Sequence, residues 1–245
     1  MRVGLLLPAA VLAVASAAFG GQSSLNEWCF YVNTLDLNHS CAEGATPTTF
    51  NPPVEGATYS ASPGDPDLGT ISIVVGPGTY NVFAFFSYLV GPGNYNQYAQ
   101  TVGTQTANQV YSVDASGDPS AGGTVSPYSP GYLQNQYSLG TLDNVNHLAD
   151  SSCAGNNSCE PVSVSLGYTN IVVPQGSQEL ITFTVSDTPP PDGFYVSQTN
   201  PTSGDTLYFS ADPQTLEATP EPASMLLIGS GLGLVAFAIR RRRLQ

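Results

Sequence analysis

After Pro161, Val162-Ser-Val-Ser-Leu166 alternates apolar and hydroxyl side chains at every step. Successive side chains of an extended chain point to opposite faces. Val162, Val164 and Leu166 therefore share one face, and Ser163 and Ser165 the other. A turn is expected at Gly167, with Ile171-Val-Val173 resuming the strand. Glu179-Leu-Ile-Thr-Phe-Thr-Val185 repeats the pattern, with Leu180, Thr182 and Thr184 opposite Ile181, Phe183 and Val185. A period of two marks half-buried strands rather than helices.

Toward the C-terminus, Pro189-Pro-Pro-Asp-Gly193 reads as a rigid turn. Phe194-Tyr-Val196 and Thr206-Leu-Tyr-Phe209 read as two further strands, and 214–219 as a tether. Toward the N-terminus, Gln136-Tyr-Ser-Leu-Gly-Thr-Leu142 is a candidate short strand. Thr70-Ile-Ser-Ile-Val-Val75 and Tyr80-Asn-Val-Phe-Ala-Phe-Phe-Ser-Tyr-Leu-Val90 are stronger ones. Gly76-Pro-Gly78 between them suits a hairpin. Strict alternation fails at Val82-Phe-Ala-Phe-Phe86, which predicts a strand buried on both faces or a bulge at Phe86. Residues 51–68 read as loop because Pro52, Pro53, Pro63 and Pro66 interrupt pairing. With 25 Gly and 20 Pro in 245 residues, the composition is that of short strands and many turns. The expected fold class is all-β, an antiparallel β-sandwich of jelly-roll or Ig-like kind.

Charge narrows the function classes. Of 18 acidic residues, 17 lie between residues 18 and 219 and the other is Glu221, and no Lys or Arg lies between residues 3 and 239. Nucleic-acid backbones need basic contacts, so no nucleic-acid partner is expected. The negative charge suits solubility outside the cell. Four cysteines permit three pairings. The local one, Cys29 with Cys41 and Cys153 with Cys159, closes two polar loops, each contributing ~2–3 kcal/mol in the chain-entropy model. These spacings do not match zinc ribbons or fingers, and His39 and His147 add no ligand offset, so no metal and no other cofactor is expected. Asp65-Pro-Asp67 could contribute oxygens to Ca²⁺ but lacks the EF-hand spacing, and reads as a solvated turn. Tyr95, Tyr98 and Tyr111 are spaced like the aromatic platforms of sugar-binding surfaces, although tyrosine is also common at sandwich edges. No nucleophile elbow is present, and acid–base options reduce to carboxylates, so the chain is not expected to be an enzyme.

The two ends carry targeting features. Met1-Arg2, the apolar run from residue 5 to 15 and Ala15-Ser-Ala17 form a secretory signal peptide, expected over residues 1–17. At the other end, Pro220-Glu221-Pro222 precedes an uncharged apolar run at 223–239. At ~1.5 Å per residue this run spans about 25 Å as a helix, enough for a short transmembrane crossing. Arg240, Arg241, Arg242 and Arg243 follow. Arginine at a bilayer centre costs ~2.5–3.5 kcal/mol, so the cluster stops transfer and stays cytoplasmic.

These three parts together resemble the PEP-CTERM sorting signal of Gram-negative bacteria: a Pro-Glu-Pro motif, a short glycine-containing transmembrane helix (here with Gly229, Gly231 and Gly233) and a terminal arginine cluster. The resemblance covers the tail alone. It implies recognition by an integral-membrane exosortase that cuts near the motif. The expected layout is a signal peptide at 1–17, an exported ectodomain at 18–215 and a sorting tail at 216–245. The precursor would sit in the inner membrane and the product at the cell surface or outside. The expected role is structural or adhesive, with extracellular polysaccharide as a partner. The alternative is a carbohydrate-binding module, with or without Ca²⁺; an acidic hydrolase is the third reading.

Overall fold

The computed structural model describes residues 24–32, 40–43, 57–63, 65–91, 97–115, 133, 140–148 and 162–217. They form β1 (Ser24–Val32), β2 (Ser40–Glu43), β3 (Ala57–Ser62), β4 (Asp65–Val75), β5 (Gly78–Leu89), β6 (Tyr98–Val102), β7 (Gln109–Ala115), β8 (Val162–Val173), β9 (Ser177–Ser186), β10 (Tyr195–Thr199) and β11 (Thr206–Glu217). One sheet has the order β2-β1-β5-β8-β7, the other β3-β4-β9-β11-β10-β6. Pairing between these strands is antiparallel throughout. The described chain is all-β, as its alternation predicts.

Apolar side chains of the two sheets meet between them. Phe30 of β1 lies against Phe183 of β9, and Phe86 of β5 against Phe209 of β11, each with ring centroids 5.5 Å apart. Ile181, Phe183 and Val185 are fully buried there, as their alternation requires. Trp28 sits at the centre of an aromatic group, edge-on to Phe86 at 5.2 Å and to Tyr59 of β3 at 5.7 Å. A buried indole N–H needs an acceptor. It donates to the Tyr88 hydroxyl at 2.6 Å, and Tyr88 donates onward to the backbone oxygen of Asp67. One side-chain relay thus ties β1 and β5 of the first sheet to β4 of the second.

β5 is buried on both faces, which is why its sequence lacks alternation. Val82, Ala84, Phe86 and Tyr88 face the second sheet. Phe83 and Phe85 face outward into a smaller apolar cluster with Cys29 and Leu133, where Tyr31 stacks on Phe83 at 5.5 Å. The bulge falls between Tyr80 and Val82, not at Phe86.

Several expectations are corrected. β8 runs straight through Gly167, which pairs with Phe83 and Val110. There is no turn at this glycine. A Cβ on it would lie 2.1 Å from the Val82 carbonyl oxygen, so it marks a close backbone approach. The hairpin expected at 76–78 is absent, since β4 and β5 belong to different sheets. The short link crosses between layers, because β5 takes both its edge partners, β1 and β8, in the first sheet. Residues 57–62 and 65–68, read as loop, lie in β3 and β4. The register shifts between Ala61 and Ser62, which pairs with Asp65 while Ala61 pairs with Gly69. Pro66 therefore sits in a bulge, where no ladder donor is required. Within the candidate strand at 136–142, residues 140–142 are not in a strand; residues 134–139 lie outside the described residues.

Residues 140–148 close one side of the molecule. Val113 N donates to Val145 O at 3.1 Å and His147 N to Val113 O at 3.0 Å, covering the β7 edge. Ala99 N donates to Leu148 O at 2.9 Å and Asn146 Nδ2 to Ala99 O at 2.8 Å, reaching the β6 edge of the other sheet. Open edges invite pairing with other chains, and this strap occupies two of them. His147 fixes it, lying 3.7 Å from the fully buried Asp114 carboxylate and 3.6 Å from that of Asp143.

Candidate functional site

β11 leads to the tail. Its first half pairs on both sides, with β10 through Ser210 and with β9 from Tyr208. From Ala211 to Glu217 its strand partner is β9. The Ala211 carbonyl is turned to the opposite side, where it accepts the Tyr168 hydroxyl at 2.8 Å and Gln109 Nε2 at 3.5 Å. By alternation, Pro213 presents its missing N–H to that same side, which costs the β9 ladder nothing. Residues 214–217, read as tether, belong to this strand. Only Ala218 and Thr219 separate Glu217 from Pro220. At ~3.3–3.6 Å per residue the motif begins within about 10 Å of the strand's end. Pro220, Glu221, Pro222, the apolar run 223–239 and Arg240 to Arg243 lie outside the described residues, as does the signal segment. No helix among the described residues is long and apolar enough to cross a membrane.

An open groove of about 690 Å³ runs beside this half of β11, lined by Asn108, Tyr168, Asn170, Glu179, Phe194 and Asp212 among others. Its two carboxylates are carried at positions of opposite parity in the second sheet. Glu179 shares the parity of Ile181 on the core side, whereas Asp212 is paired with Thr182 on the outer side. Tyr168 is buried, and burial pushes its phenol up to about 12. Tyr88 is raised well above 10 by burial, against a lowering by its Trp28 hydrogen bond. An unfolded tyrosine ionises near 10. Above that pH the unfolded chain releases protons that the folded chain retains, so these groups stabilise the fold fully below pH ~10 and lose that contribution as pH rises toward ~12. We expect cooperative alkaline unfolding in this window, with phenolate absorbance rising in step with loss of sheet circular dichroism. Tyr168→Phe should flatten the dependence and cost ~1 kcal/mol at neutral pH through its lost hydrogen bond. Ionisation of both tyrosines near pH 10 with the fold intact would contradict this.

The other residues singled out in the sequence are dispersed. Asp67 is not in a solvated turn: it is 9% exposed, its N–H donates to Asp65 Oδ1 at 3.0 Å, and its carbonyl accepts Tyr88. Among the described residues no group of three or more His, Cys, Asp or Glu side chains could hold a metal ion. Tyr98 lies on β6 of the second sheet and Tyr111 on β7 of the first. Tyr111 packs its ring against Phe194 at 5.1 Å, so these two do not form a shared platform; Tyr95 lies outside the described residues. Cys29 is disulfide-bonded and 2% exposed, and Cys41 is its Cα partner across β1 and β2. Directly opposed strand positions lie within disulfide reach. Cys153 and Cys159 lie outside the described residues.

Sequence reasoning missed a pair of tyrosines on the outer face of the second sheet. Tyr195 of β10 and Tyr208 of β11 meet edge to face at 5.8 Å, both partly exposed. Their strands were legible, but not which of their residues face out, because that depends on register.

Residues 218–243 match the family model of the PEP-CTERM protein-sorting motif. No curated protein and no solved structure matches the chain. The matched span begins one residue beyond the last residue of β11. The segment that leaves the second sheet at Glu217 is thus a PEP-CTERM sorting tail, and the chain is an exported protein sorted at the membrane through an exosortase.

Proposed function

We propose that this protein is a structural or adhesive component of the cell envelope or extracellular polysaccharide matrix. In this reading residues 1–17 are removed on export, the β-sandwich ectodomain runs from residue 18 through the end of β11 at Glu217, and the tail is cut near Pro220-Glu221-Pro222. The inner membrane holds the precursor transiently. The observation that carries the reading is the sorting motif placed two residues beyond a strand of the folded body. Prolines at 220 and 222 lack backbone donors and favour an extended chain, the form a protease grips, and Glu221 is the charge available for recognition there. The folded body also favours a non-catalytic role. Ser112 donates to Asp143 at 2.7 Å beside His147, but Ser112 and Asp114 are fully buried, so this constellation reaches no substrate.

The test uses the absence of Lys and Arg between residues 3 and 239. Trypsin has no site there, so the exported part survives digestion in one piece whose mass reports its C-terminus. In the native host we expect mature chains ending near 219–222, and Glu221→Ala or replacement of the four arginines to leave full-length protein in the inner membrane. Surface protein from wild-type cells that still contains residues 225–239 would show the tail to be a plain anchor.

A further inference from the structure

The two sheets differ on their outer faces. That of the first is covered by the Cys29, Phe83, Phe85 and Leu133 cluster. That of the second carries hydroxyls. The registers align Ser60, Thr70, Thr184, Ser210 and Tyr195 in one row across β3, β4, β9, β11 and β10. The next row holds Thr58, Ser72, Thr182 and Asp212. Tyr208 and Tyr98 stand on the same face toward β6, with Ser197 and Thr199 as their cross-strand partners. Charge is sparse at the outward positions of these described strands: Asp212 of β11 and, at the far end of β4, Asp65 opposite Ser62, in a chain of formal charge −13.

We propose that this face binds an uncharged polysaccharide lying across the strands. The inference rests on the adhesive reading above and names its surface and ligand class. Strands repeat every ~4.7–4.9 Å, a pitch close to one sugar ring along a chain, so successive rings would meet successive hydroxyls. Some of these hydroxyls already pair with each other, as Ser72 with Thr182 and Thr199 with Thr206, both at 3.0 Å. Each hydroxyl has one donor and two acceptor positions, so capacity remains for a sugar. Tyr195 and Tyr208 offer amphipathic rings for the apolar faces of pyranoses. Charge selects the ligand: an anionic polymer would be repelled by the acidic chain, whereas a neutral one meets a face nearly free of charge and needs no counter-ion.

The experiment is co-sedimentation of full-length protein, held in mild detergent, with amorphous cellulose, an insoluble β-1,3-glucan and alginate gel. We expect retention by at least one neutral polymer, little change with added salt, and none by alginate. Tyr195→Ala with Tyr208→Ala, and separately Thr184→Glu, should weaken retention by about tenfold or more. Unchanged Trp28 emission and melting would show that both variants fold. Wild-type protein that ignores both neutral polymers, or variants that bind as well as wild type, would overturn the proposal. So would a concentration-dependent dimer that Thr184→Glu abolishes, because the face would then belong to a second copy. Processed protein in the matrix fraction of the host tests the broader reading separately, whatever this face binds.

Discussion

Trp28→Ala is expected to lower the stability of the folded body by ~3–5 kcal/mol, the range for removing a large buried aromatic. The indole is fully buried, with Phe86 and Tyr59 against it from different sheets. Its loss opens a cavity between the layers and removes the donor to the Tyr88 hydroxyl. Tyr88 would still donate to Asp67, so the cavity dominates the cost. At ~2–4 °C per kcal/mol for a body of this size, melting should fall by roughly 6–20 °C, measured by circular dichroism because the variant has no other Trp. Trp28→Phe should recover much of the loss but not the hydrogen bond. A shift of only a few degrees in Trp28→Ala would mean that the sheets are not held together at this point.

Gly167→Ala is expected to cost ~3 kcal/mol, the upper part of the usual overpacking range. The position is not a left-handed turn. The added methyl would stand 2.1 Å from the Val82 carbonyl oxygen and 2.7 Å from Phe83 Cα. Both are backbone atoms of β5, so no side chain can rotate away, and β5 and β8 must separate locally. β5 is held on its other edge by β1, and its faces are packed on both sides, so the shift has little room. Larger residues at 167 should prevent export of folded protein altogether. As a contrast, Gly176→Ala meets no atom within 4 Å, although its φ of +82° leaves modest strain. We expect ~1–2 kcal/mol there, the scale of placing alanine at positive φ. Equal melting temperatures for the two variants would refute the close-approach argument.

The short exit from β11 links the fold to sorting. Because two residues separate Glu217 from the motif, an enzyme that acts at the motif would work within about 10 Å of the end of β11. That part of β11 pairs with β9 and presents Pro213 on its other side, so it resists pairing with a foreign strand while it waits at the membrane.

Several features were determined by the sequence alone. The Pro-Glu-Pro motif, the uncharged run and the arginine cluster identify the sorting tail, because each acts through local chemistry that no folded context has to complete. Ile181, Phe183 and Val185 face the core because alternation is a local property of an extended chain. The unbroken apolar run of β5 declared two buried faces. What only the tertiary structure decided is which strands meet. Gly76-Pro-Gly78 reads equally well as a hairpin turn or as a crossing between layers, and partners distant in the sequence choose the crossing. Pro66 reads as a strand breaker until a bulge removes the need for its N–H. Gly167 reads as a turn until β5 approaches its bare Cα. Tyr98 and Tyr111 are near in sequence yet on different sheets, while Tyr195 and Tyr208 come together through a hairpin register. Pairing between strands is non-local, so periodicity reports which residues share a face of one strand, and only the assembled sheets determine what that face meets.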